Sequence, residues 1–245
     1  MPDSAVPAFP AEPATPPAHW TAVRKDFVEP GTPCARAGKG HRLHRLVAGH
    51  AYILRDVDGN ERPFGPICAR ALLGASAGLA GVPDFTARYT ASADAGPEAA
   101  VSGRRTGDEA VAAQRLAAAT RYLLLRMEKV ASIPRIQPTV RYAALEPIYA
   151  DYRRQGTLSP QQVRRVLAIE RSPATPAALK AMPLLDVYTA YVQLQRALLG
   201  ADRLDRQRFL RGLIDWLARH LMLTRAQIEA AGLALHPRAF QGHWG

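Results

Sequence analysis

Cysteine is nearly absent: Cys34 and Cys68 are the only two in 245 residues. Two thiols are too few for the disulfide frameworks that hold small secreted folds together. Stability must come from a packed core, and the 48% apolar content is ample for a chain of this length. Long apolar runs are lacking as well. No stretch reaches the roughly 18 uninterrupted apolar residues of a membrane-spanning helix, and the N-terminus lacks the basic-then-apolar order of a secretion signal. These absences predict a cytoplasmic chain with no membrane partner. In that reducing compartment a Cys34–Cys68 disulfide is not expected. Lysine is scarce too, with only four among 32 basic residues.

Arginine is what the chain has in excess. With 21 acidic residues the formal net charge is +11. A GC-rich genome explains arginine in place of lysine, but not the surplus of positive charge. The guanidinium is a planar, permanently charged fork that pairs with phosphate and stacks on bases, so the balance points to a nucleic-acid partner.

Composition divides the chain into four parts. Residues 1–18 are dominated by proline and alanine and read as a disordered tail. Residues 19–80 carry strand and turn signals, with Trp20 and Phe27 as the first side chains able to anchor to a core. Residues 81–107 read as a linker poor in regular structure. Residues 108–245 read as a helical domain.

Within that last part, Asp108–Ser132 places Val111, Leu116, Leu123, Met127 and Val130 near one face. Leu145, Ile148 and Tyr152 recur at helical spacing before a stop at Gly156. Ser159-Pro160-Gln161-Gln162 and Thr175-Pro176 are helix starts. Leu184–Leu199 and Leu204–Met222 are amphipathic, and a short last helix runs from Thr224 to Gly232. The predicted class is α+β, a treble-clef or zinc-knuckle-like hairpin module followed by a mainly α-helical domain.

The module repeats one tetrapeptide. Cys34-Ala-Arg-Ala37 and Cys68-Ala-Arg-Ala71 flank a hairpin turning at Asp58-Gly59-Asn60, and Gly65-Pro66 leads the second cysteine into a helix. A structural zinc site takes four sulfur or nitrogen ligands. Alanine stands at Ala37 and Ala71, where paired thiols would complete it. Either His41 and His44 complete a set with Cys34 and Cys68, or the metal is lost and the module survives on packing around Tyr52, Phe64 and Leu72. Basic residues surround it: Arg36, Lys39, Arg42, Arg45, Arg55, Arg62 and Arg70, against Asp56, Asp58 and Glu61. They are candidates for phosphate contact, as are Arg104 and Arg105 in the loop Ser102–Gly107, which can equally be a solvated loop.

Catalytic motifs fail on context, so the chain is not expected to be an enzyme. Gly74-Ala-Ser76-Ala-Gly78 has the nucleophile-elbow spacing, but that motif needs a preceding strand and Cys68–Leu73 reads as helix. Gly38-Lys39-Gly40 has Gly40 where a phosphate loop needs Ser or Thr. Tyr142, Tyr149 and Tyr152 can stack on bases or serve the core. Thr224–Leu233 has the start of a helix-turn-helix, without room for its second helix.

The knuckle-like module, the turn Gly65-Pro-Ile-Cys68-Ala, the helical half with Gly156-Thr-Leu-Ser-Pro-Gln-Gln162, and the size and basicity together resemble the small large-subunit protein of type IV CRISPR effector complexes. The resemblance covers residues from Cys34 to the end, on motifs of low specificity. It implies a non-catalytic subunit at one end of a guide-RNA-bound filament of other protein subunits. Such a subunit holds the 5′ end of the guide RNA and contacts the duplex motif beside the target DNA. Ala37 and Ala71 depart from the family's metal site. The competing expectation is a stand-alone DNA-binding regulator or replication accessory protein of a mobile element.

Overall fold

Short β-rich segments with glycine turns come first, and they form five strands: β1 (Thr21–Phe27), β2 (Thr32–Pro33), β3 (Arg45–Leu46), β4 (His50–Arg55) and β5 (Glu61–Phe64). The computed structural model describes residues 20–36, 44–73, 79–89 and 107–241. An antiparallel sheet runs β1-β4-β5, and β2 with β3 makes a separate two-stranded ribbon. Ala51, Tyr52, Ile53 and Leu54 of β4 are all buried, as a continuous apolar run requires in a central strand covered on both faces. The β4–β5 hairpin turns where expected. The Asp56 carboxylate accepts from the amides of Asp58 (3.0 Å) and Asn60 (2.8 Å), and Gly59 takes the positive φ of 86° that glycine tolerates.

Helix α1 (Pro66–Leu73) packs Cys68 and Ala69 onto this sheet, against Cys34, Leu46, Leu54 and Phe64. Trp20 meets Phe64 edge-on, with centroids 5.1 Å apart. Leu72, expected in this core, is on the outer side of α1. Leu73, one turn beyond Ala69, packs there in its place.

Six further α-helices carry the larger core: α2 (Gly107–Leu124), α3 (Glu146–Gln155), α4 (Pro160–Arg171), α5 (Ala181–Leu199), α6 (Leu204–His220) and α7 (Arg225–Ala231). A strand region therefore precedes a helical region. Tyr122, Leu123, Leu145, Leu184, Leu194, Leu210 and Leu217 are fully buried between these helices. Val111, expected on the inner face, is exposed. After Leu124 the chain widens into one π turn, Leu125–Lys129. It brings Arg126 inside, where the guanidinium donates to the carbonyls of Val140 and Thr139 and to the Tyr122 hydroxyl.

The helix ends follow local chemistry. Ser159 and Gln162 form a reciprocal capping box at α4, and Thr224 with Gln227 does the same at α7. Gly156 and Gly232 close α3 and α7 in the left-handed conformation. Thr175 differs from expectation. Its hydroxyl donates back to the Ile169 carbonyl at 2.6 Å, and Pro176 introduces only a 3-10 turn, Ala177–Leu179. Among the described residues no helix is long and apolar enough to cross a membrane.

Residues 81–89, the start of the stretch read as a linker from its small residues, belong to the fold. Lys25 of β1 exchanges backbone hydrogen bonds with this segment: its amide donates to the Pro83 carbonyl and its carbonyl accepts from the Phe85 amide, both at 2.9 Å. Phe85 is fully buried. Arg88 forms a buried two-pronged ion pair with Asp186 of α5, at 2.5 and 3.1 Å. One aromatic and one cation outweigh the glycine and alanine around them.

Sheet and helices meet through polar contacts at the end of β1. Buried Asp26 accepts from Lys129 Nζ (2.7 Å), the Tyr188 hydroxyl (2.9 Å) and Arg24 Nε (3.2 Å). Phe27 stacks edge-on against Tyr89 and Tyr188. Arg196 of α5 donates to the carbonyls of Val28 (2.5 Å) and Gly49 (2.7 Å). Gly49, at φ 69°, leaves the space that the Arg196 guanidinium fills; a Cβ there would lie 2.8 Å from Nη1.

Candidate metal centre and basic surface

Three of the four sequence-predicted ligands converge. The ribbon pairs Thr32 with Leu46 and Pro33 with Arg45, which places Cys34 just beyond one strand and His44 just before the other. The Cys34 amide donates to the His44 carbonyl at 2.9 Å, and the Ala35 amide donates to the Pro63 carbonyl at 2.9 Å, fastening the ribbon to β5. Cys68 arrives from the other side, in the first turn of α1. The two sulfurs and one imidazole nitrogen lie within 4.8 Å of one another, and His44 Nε2 is 3.8 Å from Cys68 Sγ. Tetrahedral zinc with its usual Zn–S and Zn–N lengths sets its ligand atoms about 3.5–3.8 Å apart. The donor set of two thiols and an imidazole therefore fits a soft divalent ion with little movement.

Gly65 makes the approach possible. A Cβ there would sit 3.3 Å from His44 Nε2 and 3.5 Å from Leu46 Cδ2. Both thiols are buried and free. Burial pushes the Cys68 thiol up, and neighbouring Cys34 adds to this, while the Arg36 guanidinium opposes it. A thiol held up in this way needs a cation beside it to become a thiolate ligand.

The fourth predicted ligand, His41, lies outside the described residues, as do Lys39, Arg42, Arg104 and Arg105. So do Ala37 and the Gly74–Gly78 segment, whose lead-in Cys68–Leu73 is helical. Ala71 is exposed. Among the predicted nucleic-acid contacts, the Arg36 guanidinium stands near Cys68 and favours its ionised form, Arg45 is exposed and donates to the Gly31 carbonyl at 2.9 Å, and Arg70 is exposed on α1. Arg62 is exposed on β5, whereas Arg55 is bound to Glu61 at 2.7 Å. Arg24 joins the same carboxylate at 2.6 Å. Burial works against that charge, but the Arg55 hydrogen bond and the Arg24 charge hold Glu61 below its ordinary range.

The tyrosine cluster divides. Tyr152 is buried and Tyr149 donates to Glu128 at 3.0 Å, while Tyr142 is exposed. The composition gave no notice of the outward row Phe209, Trp216 and His220 on α6. Its signal was present as a second aromatic stripe, at spacings of seven and four, on a helix whose other face is apolar.

Compared with protein-family models, with curated proteins and with solved structures, the chain finds no significant match.

Proposed function

We propose that the chain is a non-catalytic nucleic-acid-binding subunit of an RNA-guided effector complex of the type IV CRISPR kind. In this reading it contacts the guide RNA 5′ end and the motif flanking the target DNA, beside other protein subunits. The observation that carries the proposal is the strand-and-helix module. A Cys34–His44–Cys68 cluster stands at its centre, and Arg36, Arg45, Arg62 and Arg70 stand around it. In this reading the module is a treble-clef-like zinc knuckle, with His41 as the fourth ligand. The metal fixes β2, β3 and α1 relative to one another, which positions arginines from three separate elements on one small scaffold. Guide base pairing reads the sequence, so such a subunit needs basic surfaces and protein interfaces rather than a reactive constellation.

Co-expression with the neighbouring genes, followed by purification through a tag on this chain, tests the proposal. It predicts bound partner proteins, a short RNA of uniform length, and close to one equivalent of zinc that Cys34→Ser and Cys68→Ser remove. Protein that emerges alone and free of RNA overturns the effector reading. If that protein then binds duplex DNA with steep salt dependence, it is a stand-alone DNA-binding regulator or replication accessory protein.

A further inference from the structure

Helix α6 presents an aromatic row to solvent. A helix packed on a core by one face ordinarily shows polar side chains on the other. Here Phe209 is 38% and Trp216 36% exposed, and His220 is exposed beside them. Spacings of seven and four align the three rings along one side of the helix, with Phe209 and Trp216 roughly 10 Å apart at 1.5 Å per residue. The Trp216 and His220 rings lie 4.1 Å apart at 36°, so His220 stacks in a tilted fashion over one face of the indole and leaves the other open. Arg206 covers Phe209, its guanidinium 5.4 Å from the ring centre.

Gly212 lies between Phe209 and Trp216. Glycine weakens a helix interior, and a Cβ here would meet nothing within 4 Å, so internal packing does not demand it. What the glycine provides is a gap between the two rings. Arg208 and Arg219 stand about a quarter turn round from the aromatic row and Arg211 further round, all exposed. Their contacts are weak or leave donors over. Arg208 has a 3.9 Å ion pair with Asp205, which is itself 84% exposed. Arg211 has a 3.5 Å contact to Gln207, and Arg219 places Nε on the Asp215 carbonyl at 3.1 Å. The Asp215 carboxylate is taken by Arg135 at 2.9 Å.

We infer that this face of α6 is a stacking platform for a single-stranded nucleic acid. Trp216, backed by His220, takes one base on its open face and Phe209 takes another. Gly212 leaves room for the strand between them, and the arginine row follows the phosphates. Rings flanked by phosphate-pairing cations are how unpaired strands are held, whereas the bases of a duplex are already stacked on each other. The cores of protein interfaces are depleted in charge, and two guanidiniums about a quarter turn from the rings do not suit one. The inference rests on the nucleic-acid reading above and adds a second surface to it, on the helical body and specific for unpaired strands.

The test is fluorescence anisotropy of the full-length chain with labelled oligo-dT, oligo-U and a duplex, each about 20 nucleotides long, a length that exceeds the single-strand footprint of one binding fold. Trp216→Ala is expected to weaken single-strand binding about tenfold or more, the range for loss of one stacked base. Trp216→Phe should stay within a few-fold of wild type, and both variants should bind duplex unchanged. The oligo-dT and oligo-U arms show whether DNA or RNA is the ligand.

Arg208→Glu with Arg219→Glu should weaken the single strand further and lower the salt slope by about 1.4, for two phosphates. This charge variant decides the matter if Trp216→Ala fails to fold. Unchanged single-strand affinity in a folded Trp216→Ala, or in the charge variant, overturns the platform and leaves the nucleic-acid reading standing. Loss of a protein partner with unchanged strand affinity assigns the face to protein docking, and overturns it too. Wild-type protein that binds neither strand nor duplex, alone or in its purified complex, refutes the broader reading and the platform with it.

Discussion

Asp26→Ala should loosen the whole junction between sheet and helices, because one carboxylate serves four donors there. Lys129 Nζ reaches it at 2.7 Å, the Tyr188 hydroxyl and the Phe27 amide at 2.9 Å, and Arg24 Nε at 3.2 Å. The Lys129 side chain is only 14% exposed, so the substitution leaves a nearly buried ammonium without its main counter-charge. Breaking one half of a buried ion pair costs about 3–5 kcal/mol. Glu128 at 3.6 Å and the rings of Phe85 and Tyr188 still attend the ammonium, which places the expected loss near the lower end, about 3 kcal/mol. For a chain of this size that lowers Tm by about 6–12 °C.

Urea unfolding followed by circular dichroism gives the free energy, and a thermal scan gives Tm. Asp26→Leu combined with Lys129→Met removes both charges and should recover most of the loss, since replacing a buried pair by apolar residues is often close to neutral. A loss below about 1 kcal/mol for Asp26→Ala, less than a typical mutational effect, would refute the reasoning. So would a double variant as unstable as the sum of its singles.

Two further outcomes follow from particular contacts. Gly65→Ala presses a methyl group against His44 Nε2 at 3.3 Å. In the proposed site it should weaken zinc binding in a competition titration, because the His44 ring must yield by a few tenths of an ångström, while the circular dichroism spectrum of the folded chain stays the same; unaltered affinity would show that Gly65 does not shape the site. Burial and the charge of Asp26 raise the Tyr188 phenol well above its ordinary range. A raised pKa contributes stability that is complete below the unfolded value near 10 and is lost as pH rises, by up to about 1.4 kcal/mol per pH unit. Tyr188→Phe should therefore cost about 1.5–3 kcal/mol at neutral pH, for a hydrogen bond to a charged acceptor, and should make the decline above pH 10 shallower. An unchanged alkaline slope in urea titrations would show that Tyr188 ionises freely in the folded chain.

What could be read from the sequence is what neighbouring residues decide. The capping boxes at Ser159 and Thr224, the stops at Gly156 and Gly232 and the turn at Gly59 each depend on partners within five residues, and each is present. Thr175 shows the limit of that reasoning, since its hydroxyl found the carbonyl of Ile169, six residues back, before it could cap anything. Cys34, His44 and Cys68 were legible because a ribbon and a helix start bring short-range signals together. Asp26 with Tyr188, 162 residues apart, and Arg88 with Asp186, 98 apart, were not. Nothing in local spacing couples a strand end to a distant helix, so the segment around Phe85 read as linker.

The arginines differ in where their charge is directed. A surplus of positive charge measures attraction to a polyanion only as far as the charges face outward. Arg126 spends all three guanidinium nitrogens inside the protein. Arg196 holds two carbonyls at the sheet–helix junction, and Arg206 places its two Nη groups on the last carbonyls of α7, at 2.8 Å each. None of these three has a carboxylate partner among those contacts, so each adds to the formal net charge while its guanidinium is turned inward. They also explain arginine over lysine more directly than any ligand does: a planar fork with five donors can satisfy several carbonyls at once, and an ammonium on a flexible stem is a poor substitute. The charge free to meet a polyanion is therefore smaller than the formal net charge. The exposed arginines include Arg45, Arg62 and Arg70 near the Cys34–His44–Cys68 cluster and Arg208, Arg211 and Arg219 along α6. In the proposed reading the first group meets the duplex and the second the unpaired strand.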